Sequence, residues 1–141
     1  MLGSFKAKAA CVAIGTLGMI AAVSAAHAQE NLLGKELYIA SCETCHGSTG
    51  LGDGGFAQYL TIKPANLRVL TKNNHGVFPY LDVFHIVDGR TGVRGHSGGP
   101  MPIWGDVFTQ EIGETGSPYG AELRVRAKMV SLVDYIESLQ E

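Results

Sequence analysis

The run Cys42-Glu43-Thr44-Cys45-His46 constrains what this chain can become more tightly than any other part of its 141 residues. Two thiols two residues apart, with an imidazole next in line, is the spacing that attaches haem through thioether bonds. The two-residue gap lets both sulfurs reach the vinyl positions on one edge of the ring. The adjacent histidine can then place a nitrogen on the iron. The motif occurs once, so one covalent haem is expected. Other uses of these residues fit less well. A structural zinc site takes four ligands, and no second Cys/His pair follows at a suitable spacing. A thioredoxin-like dithiol sits between a strand and a helix, whereas Gly47-Ser48-Thr49-Gly50 follows here. A disulfide closed across two residues is strained.

The N-terminus reads as an export signal. Lys6 and Lys8 precede a run from Ala9 to Ala25 that is apolar or small almost throughout, and Ala26-His27-Ala28 supplies a small-x-small cleavage site. Residues 1–28 are therefore expected to be a cleaved secretory signal, with 29–141 forming one domain. The competing reading is a retained membrane anchor, for which the apolar run is marginal in length. After cleavage the mature form is not expected to span a membrane. Export would place the protein outside the cytoplasm, where a cysteine pair can be oxidised, reduced and ligated. Cys11 falls inside the signal, so Cys42 and Cys45 would be the two thiols left. The whole chain has a formal net charge of −2, and loss of Lys6 and Lys8 makes the remainder more acidic. Such a surface argues against nucleic acid as a partner.

Helical periodicity marks the two ends of the mature chain. Asn31 to Ser41 reads as a first helix, with Leu33, Leu37 and Tyr38 to one side. Gly120 to Leu139 reads as the last, with Val125, Met129, Leu132, Val133, Ile136 and Leu139 in one stripe. Gly34 and Tyr38 lie four apart and could meet Leu132 and Tyr135, bringing the termini together. Between them, Gly47 to Gly55 is a glycine-rich loop, Asn66 to Thr71 a helical turn, and Pro79 to Val87 a third helix ending at Asp88-Gly89. Asp106 to Pro118 reads as a polar loop. No stretch alternates like a strand, so the class is all-α. A small glycine-rich domain has little apolar surface of its own, and the apoprotein is expected to fold poorly.

A haem iron held by His46 on one face takes a ligand on the other. Met129 belongs to the apolar stripe of the last helix, where packing is its expected role. Met101 lies in Gly98-Gly99-Pro100-Met101-Pro102-Ile103-Trp104-Gly105, whose prolines hold it out of a helix and free it to present a thioether. Met101 is therefore the expected sixth ligand. The rivals are His75, His85 and His96, of which His96 lies five residues before Met101.

The order of terminal helix, CxxCH, glycine-rich loop, proline segment, methionine loop and C-terminal helix resembles the class I cytochromes c, particularly small bacterial periplasmic members. Pro100-Met101-Pro102-Ile103-Trp104-Gly105 resembles their distal-ligand loop, and the Gly34/Tyr38 and Leu132/Tyr135 pairs resemble their crossing of terminal helices. The resemblance implies the cytochrome c fold, one haem c attached at Cys42 and Cys45, His46 and Met101 as axial ligands, and electron transfer rather than catalysis. It further implies that a proline carbonyl, here from Pro64, orients the proximal imidazole, and that Trp104 and Arg68 or Arg90 bond a haem propionate. The partners would be redox proteins, a dehydrogenase or membrane complex as donor and an oxidase or reductase as acceptor, with no small-molecule substrate. Arg90, Arg94 and His96 would give the methionine loop a local positive character. Two other readings keep the haem: a fixed cytochrome subunit of a periplasmic oxidoreductase, and a sensor or peroxidase with an open sixth position.

Overall fold

A computed structural model describes residues 32–90, 101–113 and 117–141. The expected signal (1–28), together with Arg94, His96 and Pro100, lies outside the described residues. Helix α1 spans 32–41 and runs almost without interruption into the short helix α2, Glu43–His46. The Cys42 amide donates to Tyr38 O at 2.8 Å and the His46 amide to Cys42 O at 2.8 Å, so the motif continues the helical ladder. Three short elements follow: a 3-10 turn at Ala57–Tyr59, another at Leu67–Val69, and the single-turn helix α3, Leu70–Asn73. Helix α4 spans Tyr80–Asp88 and stops at Gly89, whose left-handed φ of 69° ends the helix at no steric cost. Among the described residues the fold is helical, with no strand.

The long C-terminal helix α6, Pro118–Ser138, starts where its sequence dictates. The Ser117 hydroxyl accepts from the Gly120 amide at 3.2 Å, and Pro118 occupies the first helical turn, where its missing N–H is not needed. Val125, Met129, Leu132, Val133 and Ile136 form its buried face, joined in the core by Tyr38 and Phe108. Met129 packs in this core, away from any ligand role. Helix α1 rests on α6 at Gly34. A Cβ there would collide with the Ser131 carbonyl oxygen and lie 2.8 Å from Tyr135 Cβ. The rings of Tyr38 and Tyr135 meet beside this contact, tilted by 52° with centroids 5.3 Å apart.

The expected polar loop after the methionine segment is instead mostly helix. Helix α5 spans Trp104–Ile112 and packs against α4 and α6. Trp104, Phe108 and Ile112 recur every four residues and turn to the core, which outweighs the polar residues between them. Among the described residues, no helix is long and apolar enough to cross a membrane.

An ion-pair cluster ties these helices together. Asp88 is only 4% exposed and accepts from Arg90 Nε at 2.8 Å. Arg90 also grips Glu122 on α6 through both terminal nitrogens, at 2.8 and 3.2 Å, and Arg126 Nε adds a bond of 2.9 Å to the same carboxylate. Arg90→Ala would leave Asp88 buried without its cation and is expected to cost about 3 kcal/mol by urea unfolding. The hydrogen bond from Arg90 is the main force holding the Glu122 carboxyl below its ordinary value of 4.5. A depressed folded-state pKa gives stability that is present above the unfolded value and lost as pH falls through the folded one. The acid limb of the wild-type stability profile is therefore expected to flatten in Arg90→Ala.

Candidate cofactor-binding site

The carbonyls at the end of α2 are tied down by the glycine-rich segment that follows. Gly52 N donates to His46 O at 2.8 Å, Gly54 N to Cys45 O at 3.1 Å and Phe56 N to Thr44 O at 2.9 Å. A Cβ on Gly54 would strike the backbone of Thr44 and Cys45, so only glycine allows this approach. From the other side, the buried Tyr38 hydroxyl donates to Gly47 O at 2.6 Å. The motif is thus clamped between α1 and its own downstream loop.

Beside it opens a cavity of about 370 Å³, within the range of cofactor and small-molecule sites. Cys42, Cys45, His46 and Met101 all line it, although Met101 follows the motif by more than fifty residues. The remaining wall is largely apolar. Leu60, Ile62 and Leu67 come from the connecting segments, Val83, Ile86 and Val87 from α4, and Ile136 from α6. Lys63 lines the cavity too, but its ammonium group donates to Ala57 O at 3.0 Å.

His46 is 8% exposed, and its Nδ1 lies 3.0 Å from Ala65 O. A carbonyl oxygen can only accept, so Nδ1 carries the proton and Nε2 keeps its lone pair for a metal. Burial lowers the imidazole pKa from its ordinary value, and the Ala65 bond only partly offsets this. The family resemblance implies Pro64 as that acceptor. The structure corrects it by one residue: Pro64 O faces Gly52, where a Cβ would come within 2.5 Å, and the next carbonyl turns to the histidine. Pro64 itself lines the cavity.

Cys42 and Cys45 are free thiols. Burial, with a smaller contribution from the neighbouring Cys45, pushes the Cys42 thiol up to about 12.

The two arginines expected at a propionate are engaged elsewhere. Arg68 pairs with the Glu141 side chain, and its carbonyl accepts from Glu141 N at 3.0 Å. Arg90 belongs to the Asp88–Glu122 cluster. Neither lines the cavity. Trp104 does line it, and its buried indole N–H has no hydrogen-bond partner among the described residues. An unmet buried donor at such a wall suits an acidic acceptor on a bound group. His75 sits in an exposed turn with a φ of 56°, and His85 packs edge-on to Phe84; neither lines the cavity.

Among the described residues, no three His, Cys, Asp or Glu side chains cluster as a bare metal ion would require. The donors at the cavity are instead two thiols, one imidazole nitrogen and one thioether in apolar surroundings. That set fits a haem bound covalently by the chain. Searches among protein-family models, curated proteins and solved structures find no match to this chain.

Proposed function

We propose that this protein is a one-electron carrier of the class I cytochrome c type, with a single haem c in the cavity between α2, α4 and the Met101 segment. The observation that carries the reading is the convergence of Cys42, Cys45, His46 and Met101 on one apolar cavity. The haem would supply a reversible ferric–ferrous couple. Cys42 and Cys45 would hold it covalently, and His46 Nε2 and the Met101 thioether would bind its iron. Ala65 keeps the imidazole in the metal-binding tautomer, and the aliphatic wall excludes water, which with a thioether ligand favours the reduced state. Trp104 offers its N–H to a propionate.

With His46 and Met101 both holding its iron, the haem would offer no open position to a substrate, which favours transfer between proteins over catalysis. Ile62 lines the cavity and is 66% exposed, giving the cavity an apolar rim at which a partner would approach. We infer periplasmic dehydrogenase-type donors and oxidase- or reductase-type acceptors, engaged through small interfaces that release readily. The export signal read from residues 1–28 supports that location.

The test is an absorption spectrum of the haem-matured protein, oxidised and then reduced. The oxidised wild type is expected to show the weak far-red charge-transfer band of sulfur-ligated ferric haem, and Met101→Ala to lose it. A low-spin wild type without the band would place a second histidine on the iron. A high-spin wild type would favour the sensor or peroxidase reading.

A further inference from the structure

The last residues of the chain close over the segment that holds His46. The Gln140 side chain makes three bonds there. Its Oε1 accepts from the Thr71 amide at 2.9 Å, and its Nε2 donates to Leu67 O at 2.6 Å and to Ile136 O at 2.9 Å. One amide group thus joins the end of α6 to both sides of the turn formed by Leu67–Val69 and α3. That turn begins at Asn66, whose Oδ1 accepts from Arg68 N at 2.9 Å. The residue before Asn66 is Ala65, and its carbonyl is the acceptor of His46 Nδ1. Leu67 N is itself held by Gly50 O at 2.7 Å, so the segment is tied on two sides.

We propose that Gln140 is a positioning residue for the proximal histidine, fixing the Ala65 carbonyl through the Leu67–Thr71 turn. A glutamine suits the role because it donates and accepts at once, matching the carbonyl of Leu67 and the amide of Thr71. It does not touch the cavity; it sets how firmly the acceptor of the imidazole is held. Such outer partners fix ring orientation and raise the basicity of a metal-bound histidine. The inference rests on the haem reading above.

The test compares haem-loaded wild type with Gln140→Met, which keeps side-chain length and loses all three bonds. Glu141→Gln, which loses the surface pair with Arg68, is the control from the same tail. Two quantities are read: solvent exchange of the hyperfine-shifted His46 Nδ1 proton, and the midpoint potential. In Gln140→Met the exchange is expected to accelerate about tenfold and the potential to rise, because a looser acceptor leaves the imidazole a poorer electron donor. Glu141→Gln is expected to change neither. A second measurement uses wild type alone. As urea is added, the Thr71 amide and the His46 Nδ1 proton should exchange through a shared opening and accelerate together.

If Gln140→Met merely lowers the melting temperature, with exchange and potential unmoved, the residue is only structural and the proposal falls. Independent exchange of the two wild-type protons would also overturn it. A wild type with no hyperfine-shifted imidazole resonance would instead remove the haem reading, and this inference with it.

Discussion

Gly34→Val is expected to destabilise the protein by about 3 kcal/mol. Two effects compete at this position. A glycine inside a helix costs about 0.5–1 kcal/mol relative to alanine, so a side chain there would normally help. Here the added Cβ meets the carbonyl oxygen of Ser131, a backbone atom within α6 that cannot swing aside. The helices must separate, and with them the Tyr38–Tyr135 ring contact at 5.3 Å. Separation also pulls on Tyr38, whose hydroxyl holds Gly47 at the end of the Cys42–His46 segment. Gly34→Ala should show the same conflict at about 2 kcal/mol. Gly55→Ala, where a Cβ meets nothing within 4 Å, is the control and should not show a steric loss. Urea midpoints of the three variants decide the matter; equal midpoints for Gly34→Ala and Gly55→Ala would mean that α1 and α6 do not meet as described.

Cys42→Ala combined with Cys45→Ala should abolish covalent retention of haem outright. The denatured variant is expected to have the mass of the bare polypeptide, whereas the denatured wild type should carry the added mass of one haem. The consequence for stability is as large. A cavity of about 370 Å³ lined by Leu60, Ile62, Leu67 and Val83 is poorly packed when unfilled, and voids of this kind cost several kcal/mol. In the double variant the filling group would be held by His46 and Met101 alone. Its melting temperature should therefore rise with added haem, as for any ligand that binds only the folded state, while that of wild type should not. A wild-type mass equal to the bare chain would end the haem reading.

The parts of this structure legible in the sequence are those encoded by residue type and period. The apolar stripe of α6 and the stop of α4 at Asp88-Gly89 could be read directly, because burial and left-handed backbone each leave a local mark. Ser117-Pro118 opens α6 two residues before Gly120, where the periodic stripe alone begins the helix. Helix α5 is masked in the sequence by its exposed Asp106, Thr109, Gln110 and Glu111, which outnumber the three inward aromatic and aliphatic residues. The motif and Met101 stand out by chemistry, and the structure brings them to one cavity. The acceptor of His46 could not be located to the residue, since every backbone carbonyl is chemically alike and only the path of the chain decides which one turns inward. The distant pairings of Arg68 and Arg90 are hidden for a related reason. Glu141 and Glu122 lie far along the chain, and of the carboxylates these arginines meet only Asp88 is local to Arg90. Gln140 is invisible on the same grounds.

The burial of Cys42 bears on how a haem would be installed. Its sulfur belongs to the first helical stretch of the described chain, and in the finished fold it is 4% exposed, in a core cluster that includes Ile136 of the last helix. If the proposed haem fills the cavity, a rigid disc would have to reach that sulfur before α6 is seated. Attachment would then be the earlier step, and closure of the two ends the latch.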